Sequence, residues 1–180
     1  MCIRDRLESV PQAVSYLKQH KGYEDLFEGY NEADLHRGQI EKMLRLTVYR
    51  DFSKLYRFAN VEQRKFLALY FKRYEVSVIK ECLNTVFDHR DVVLNLSIFD
   101  EFFNKHSQLD INLLASSRTI EELIANLKGT EYYAPLSQLA DIERPTLFDY
   151  EMTLDLYYFA QMWKDRSKVV TKRDLEEPVS

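Results

Sequence analysis

The chain overlays on itself without a gap at a shift of 110 residues. Glu41 lands on Glu151, Leu44 on Leu154, Leu46 on Leu156, Tyr49 on Phe159 and Lys54 on Lys164. Upstream, Val10, Val14, Leu17, Lys18, Tyr23 and Leu26 fall on Ile120, Ile124, Leu127, Lys128, Tyr133 and Leu136 under the same shift. An echo over roughly 45 positions, mostly apolar or aromatic and mostly at helical spacing, is the mark of duplicated units that bury their faces on one another. The expected fold class is all-α, with duplicated helical units, long helices and no sheet.

Composition supports that class. Only 4 Gly and 4 Pro occur among 180 residues, too few for the tight turns of hairpins, and 46% of the chain is hydrophobic, enough to bury a sizeable core. A net charge of -4 argues against a broad nucleic-acid footprint, which needs clustered positive charge. Cys2 and Cys82 lie far apart, with no His or Cys at ligand spacing, so neither a disulfide nor zinc is expected. Charges interrupt each apolar run well before the 18 or so residues that a membrane span requires, and MCIRDR lacks the apolar core of a signal peptide. No direct membrane insertion is expected.

Helix signals divide the chain. Ser9-Val-Pro11 starts a helix that should end near Gly22, with a short element over 23–30. Asn31 and Asp34 are both plausible caps before a helix whose stripe is Ile40, Leu44, Val48, Phe52 and Leu55, with Glu41 and Arg45 at i, i+4 on its flank. Asn60 should cap a long helix from Val61 to about His89, roughly 40 Å at 1.5 Å per residue. Arg64, Lys65, Lys72, Arg73 and Lys80 recur along it and read as a solvated basic face. Asp110 to Ser117 reads as a polar linker, and Thr119 with Glu122 as a capping box. The strongest helix, 146–164, carries Phe148, Met152, Leu156, Phe159 and Trp163 on one stripe, with Tyr150, Leu154, Tyr157 and Tyr158 elsewhere around it. Being apolar on more than one side, it needs neighbours, of which the missing long helix of its own copy is the natural one, and an exposed apolar patch larger than the few hundred Å² common on monomers is expected along the second copy.

Chemistry is sparse. Glu151 and Asp155 could as a carboxylate pair hold a metal or act as acid and base. The counterpart of Asp155 in the first copy is Arg45, so only the glutamate repeats. Glu41 and Glu151 are therefore read as structural carboxylates that accept hydrogen bonds or an Arg from a neighbouring helix. No catalytic, cofactor-binding or metal-ligating residue is assigned. The four glycines form no phosphate cradle, the four histidines have no paired nucleophile, and Cys82 reads as packing.

LHRGQIEKMLRL, LYRFANVEQRKFLALYFKRYEV and FDYEMTLDLYYFAQMWK together resemble the C subunit of archaeal and bacterial V-type ATPases and ATP synthases, the relative of the eukaryotic d subunit. Glu151, Leu154, Asp155, Tyr158 and Phe159 carry the most specific piece, and the likeness extends from Ser9 to Lys164. The resemblance implies three similar helical units, of which this chain would hold two, the second incomplete, as a fragment lacking both ends. The expected division is a possible scar or ragged start at 1–6, a first helical unit at 7–92 and a second, truncated unit at 93–180.

The resemblance also implies a function: a non-catalytic central-stalk subunit, not itself an enzyme. It would couple the ATP-hydrolysing head and its axle to the membrane rotor ring during proton or sodium transport. Its expected partners are the central axle subunits and the rotor ring, with no nucleic acid and no cofactor, and its expected place is cytoplasmic, peripheral to the membrane. Periodicity alone fits a helical-repeat adaptor or scaffold equally well, and an all-helical enzyme would need a cleft with convergent polar groups.

Overall fold

The computed structural model describes residues 9–88, 96 and 99–169. The start at 1–6, most of the stretch 91–98 and the end of the second unit beyond Val169 lie outside the described residues, as does Cys2. Those described form eight α-helices and short 3₁₀ turns with no strand, as the scarcity of turn residues requires. They fall into two compact units, divided after Arg57.

In the first unit, α1 (Val10–Lys18) starts at Ser9, whose hydroxyl accepts from the Gln12 amide at 3.4 Å, with Pro11 in the first turn. It stops at Lys18, a turn before Gly22, which takes φ +101 in the loop beyond. 3₁₀ turns at Glu24–Phe27 and Glu32–Asp34 follow, the second capped by Asn31. Asp34 closes that turn, and α2 (Arg37–Phe58) begins after it. Val14, Phe27, Leu35 and Ile40 form the core, with Val10, Leu17, Leu26, Met43 and Leu44 packed against it. The expected α2 stripe holds only in part: Ile40 and Phe52 are buried, Val48 and Leu55 are exposed, and Thr47 and Tyr49 are buried instead. Thr47 is tolerated there because its hydroxyl donates back to the Met43 carbonyl at 3.3 Å.

The second unit is built on α3 (Val61–Phe87), 27 residues started by a complete Asn60–Gln63 capping box. Each side chain accepts from the other's backbone amide at 2.9 Å, so two orphan donors are satisfied at once. α4 (Asp100–His106) follows, and Phe71 packs on Phe102 and Phe103 at ring separations of 5.1 and 5.6 Å. The stretch read as a polar linker is instead a short helix, α5 (Ile111–Ala115). Asp110 caps it, and Ile111, Leu114 and Ala115, at i, i+3 and i+4, supply one buried face. α6 (Ile120–Asn126) starts at Thr119, whose hydroxyl accepts from Glu122 N at 3.1 Å, while the Glu122 carboxylate takes the Arg118 amide. α7 (Tyr133–Ser137) leads through a 3₁₀ turn to α8 (Leu147–Val169).

The repeat survives in the folded chain. α2 begins at Arg37 and α8 at Leu147, α1 begins at Val10 and α6 at Ile120, and both pairs of starts are 110 apart. Val14 and Ile124 are both buried, as are Ile40 and Tyr150.

Candidate functional site

α8 has two apolar faces, and the structure closes only one. Tyr150, Leu154 and Tyr158, with partly buried Glu151 and Asp155, face α3, which α8 meets antiparallel along the largest interface of the unit. Asn84 Nδ2 donates to Glu151 at 2.8 Å, Lys80 meets Asp155 at 2.7 Å, and Phe87 packs on Tyr150 at 5.7 Å. Partners that climb α3 thus descend α8. The two carboxylates act as fasteners: each gives an oxygen to α3, and no cluster of three metal-ligating side chains exists among the described residues.

The basic positions on α3 are not a single solvated face. Lys72 and Lys80 reach across to Glu131 and Asp155, and Lys65 pairs with Glu62 on its own helix. Glu41, the repeat partner of Glu151, is exposed and accepts from Arg37 Nε one turn back at 2.7 Å. The Cys82 thiol is buried, which pushes it up to about 12, with Glu81 adding to the rise. It is packing, not a nucleophile.

The other face of α8 is open. Phe148, Met152, Leu156, Phe159 and Trp163 are between 39% and 69% exposed. Successive members lie three or four residues apart, so they line one side of the helix over about 22 Å. At roughly 200 Å² per ring, the three aromatic members alone leave about 400 Å² in water, within the range of the largest apolar patch on an ordinary monomer. Arg166 lays its guanidinium 3.9 Å from the Trp163 ring, which orients that ring without covering the stripe. The stripe expected to be exposed is therefore exposed, though its three rings alone do not exceed the patch an ordinary monomer shows. The residues of the apparent core stripe are the ones left outside, because α3 takes the Tyr150–Leu154–Tyr158 face.

Sequence reasoning missed one charged group. Glu75 of α3 is buried at 7% exposure among Phe71, Val76 and Ile79, and it bonds the hydroxyls of Tyr132 and Ser107. Its signal was a charge inside an i, i+4 apolar series, Phe71, Glu75, Ile79, which a count of apolar residues passes over.

The chain thus combines a long helical strut, a duplicated helical unit and an open apolar seam. The ATP synthase (C/AC39) subunit family matches residues 5–179. The chain belongs to that family. It is 27% identical over 169 residues to the C subunit of the A-type ATP synthase of Methanosarcina mazei, a match that covers 90% of this chain and 44% of that protein. The chain therefore spans less than half the length of this curated relative. No solved structure gives a significant match. Among the described residues no helix is long and apolar enough to cross a membrane.

Proposed function

We propose that the chain is part of a non-catalytic stalk subunit of a V-type ATPase or ATP synthase. In this role it transmits torque between the axle of the ATP-hydrolysing head and the membrane rotor ring, with the open face of α8 as a docking seam for another helix. The observation that carries the reading is the stripe from Phe148 to Trp163, five apolar side chains left in water on a helix whose opposite face is already packed. A coupling piece needs stiffness and a place to dock. α3 and α8, fastened at Asn84–Glu151 and Lys80–Asp155, provide the first, and the stripe provides the second. Family membership supports the complex, and the narrow, helix-spaced seam supports a helical occupant.

Glu41 and Glu151 are structural in this reading. The repeat units at 7–92 and 93–180 describe its internal division, and its place is at the cytoplasmic side of the membrane. The test is to express the complete reading frame with the axle and rotor-ring subunits and to recover the bridged complex. Phe159→Glu with Trp163→Glu is expected to abolish that recovery while circular dichroism stays helical. Recovery at the unsubstituted level would overturn the seam, and ATP hydrolysis by the chain that Glu151→Gln removes would overturn the non-catalytic reading.

A further inference from the structure

Three segments of the second unit meet at one carboxylate. Glu75 Oε2 accepts from the Tyr132 hydroxyl at 2.6 Å, just ahead of α7. Its Oε1 accepts from the Ser107 hydroxyl, just past α4, and Ser107 Oγ in turn accepts from the Leu109 amide at 3.0 Å. The charged and titratable groups around it are Lys72 on α3, the Glu131 carboxylate that Lys72 binds, His106, Tyr132, and Tyr157 of α8, whose hydroxyl donates to Glu131 at 2.8 Å. A pocket of about 290 Å³ lined by Glu75, Lys72, His106, Gln108 and Thr130 gives water a route to the carboxyl.

We propose that Glu75 is a proton-linked fastener: by taking one proton from water through this pocket, it tightens the junction of α3, the Ser107 corner and the Tyr132 segment. As a carboxylate it is fully bonded but buried, and a charge in a low-dielectric site costs more than the neutral acid. Burial accordingly raises its pKa above 4.5, and the negative Glu131 adds to the rise, while the Ser107 and Tyr132 hydroxyls and Lys72 oppose it. The added proton sits on a carboxyl oxygen and can itself donate, with the Ser107 hydroxyl turning to accept. The junction keeps its bonds and loses the buried charge.

The sign follows from proton linkage. The folded chain binds this proton at higher pH than the unfolded chain, so the contribution to stability grows as pH falls from the folded midpoint toward 4.5 and is constant below it.

The experiment is a carboxyl NMR titration of the 180-residue chain, with Glu75 assigned by comparison with Glu75→Gln. The midpoint is expected above 4.5. Tyr132→Phe, which removes a donor to the ionised form, is expected to move it higher still. Amide exchange at Leu109 and Tyr132, corrected for intrinsic rates, is expected to slow as pH falls through the midpoint that the titration finds. A midpoint at or below the ordinary value, or a Tyr132→Phe midpoint that stays or falls, overturns the proposal. So does exchange that quickens in acid. Should Glu75→Gln not fold, Glu75→Asp supplies the assignment and the same outcomes apply.

Discussion

Leu154 and Leu156 sit two residues apart on α8, one fully buried and the other 62% exposed, so replacing each with Ala asks the structure which face of the helix is closed. Both substitutions change helix propensity by the same small amount, and the difference between them is packing. Leu154→Ala removes a buried side chain held between the Asn84–Glu151 and Lys80–Asp155 pairs, where fixed partners restrict collapse into the void. A buried Leu→Ala costs about 2–5 kcal/mol, so about 3 kcal/mol is expected here, roughly a 150-fold loss in the folding equilibrium constant. For a unit of this size that is a fall in Tm of about 12 °C. Leu156→Ala takes apolar area out of water and should change stability by less than about 0.5 kcal/mol. Urea unfolding followed by circular dichroism measures both, with the midpoint moving at unchanged slope. Equal losses, or a larger loss at Leu156, would refute the assignment of the two faces.

Asn60→Ala removes the side-chain oxygen that takes the Gln63 amide at the start of α3, leaving the Gln63 half of the box, and should cost about 1 kcal/mol, read as a lowered urea midpoint, while Asn60→Asp should retain most of it. Thr146 lowers the Asp149 pKa through its hydroxyl and its backbone amide, so the stabilisation at the start of α8 is present above 3.8 and disappears as pH falls through the depressed value. Asp149→Asn should remove that acid loss, measured by helicity on titration below about pH 4. In a Cys2→Ser chain Cys82 should react with a thiol reagent at about pH 8 only on the timescale of unfolding, and prompt labelling of that folded chain would contradict its burial.

Much of this architecture can be read from local chemistry. Ser9, Asn60 and Thr119 each offer an oxygen to a first-turn amide, an interaction between neighbours in sequence that needs no tertiary context, and α1, α3 and α6 begin where those residues stand. The shift of 110 likewise returns as α2 and α8, which start at Arg37 and Leu147. The orientation of α8 was not legible. A helix apolar on two sides is buried on whichever side its partner chooses, and that choice lies in Lys80 and Asn84, far upstream but on the same one-turn spacing as Glu151 and Asp155. Asp110 to Ser117 reads as a linker by its serines, yet a cap and three well-spaced apolar residues suffice for a short helix. Glu75 was hidden for the opposite reason: its hydroxyl partners, Ser107 and Tyr132, come from segments that no periodicity links to α3. The family likeness was legible because its motif, Glu151, Leu154, Asp155, Tyr158 and Phe159, mixes the packed face of α8 with one member of the open stripe.

Trp163 is the single tryptophan of the chain and stands on the open stripe, 69% exposed, so its environment reports docking directly. The measurement is fluorine NMR of the complete reading frame with fluorotryptophan incorporated in this subunit only, the Trp163 resonance assigned by its loss in Trp163→Phe, taken alone and then assembled with the axle and rotor-ring subunits. The account predicts a water-exposed resonance, sensitive to solvent isotope, that shifts and loses that sensitivity on assembly. A complex that forms while the Trp163 resonance keeps its position and its solvent exposure would contradict the docking seam on α8.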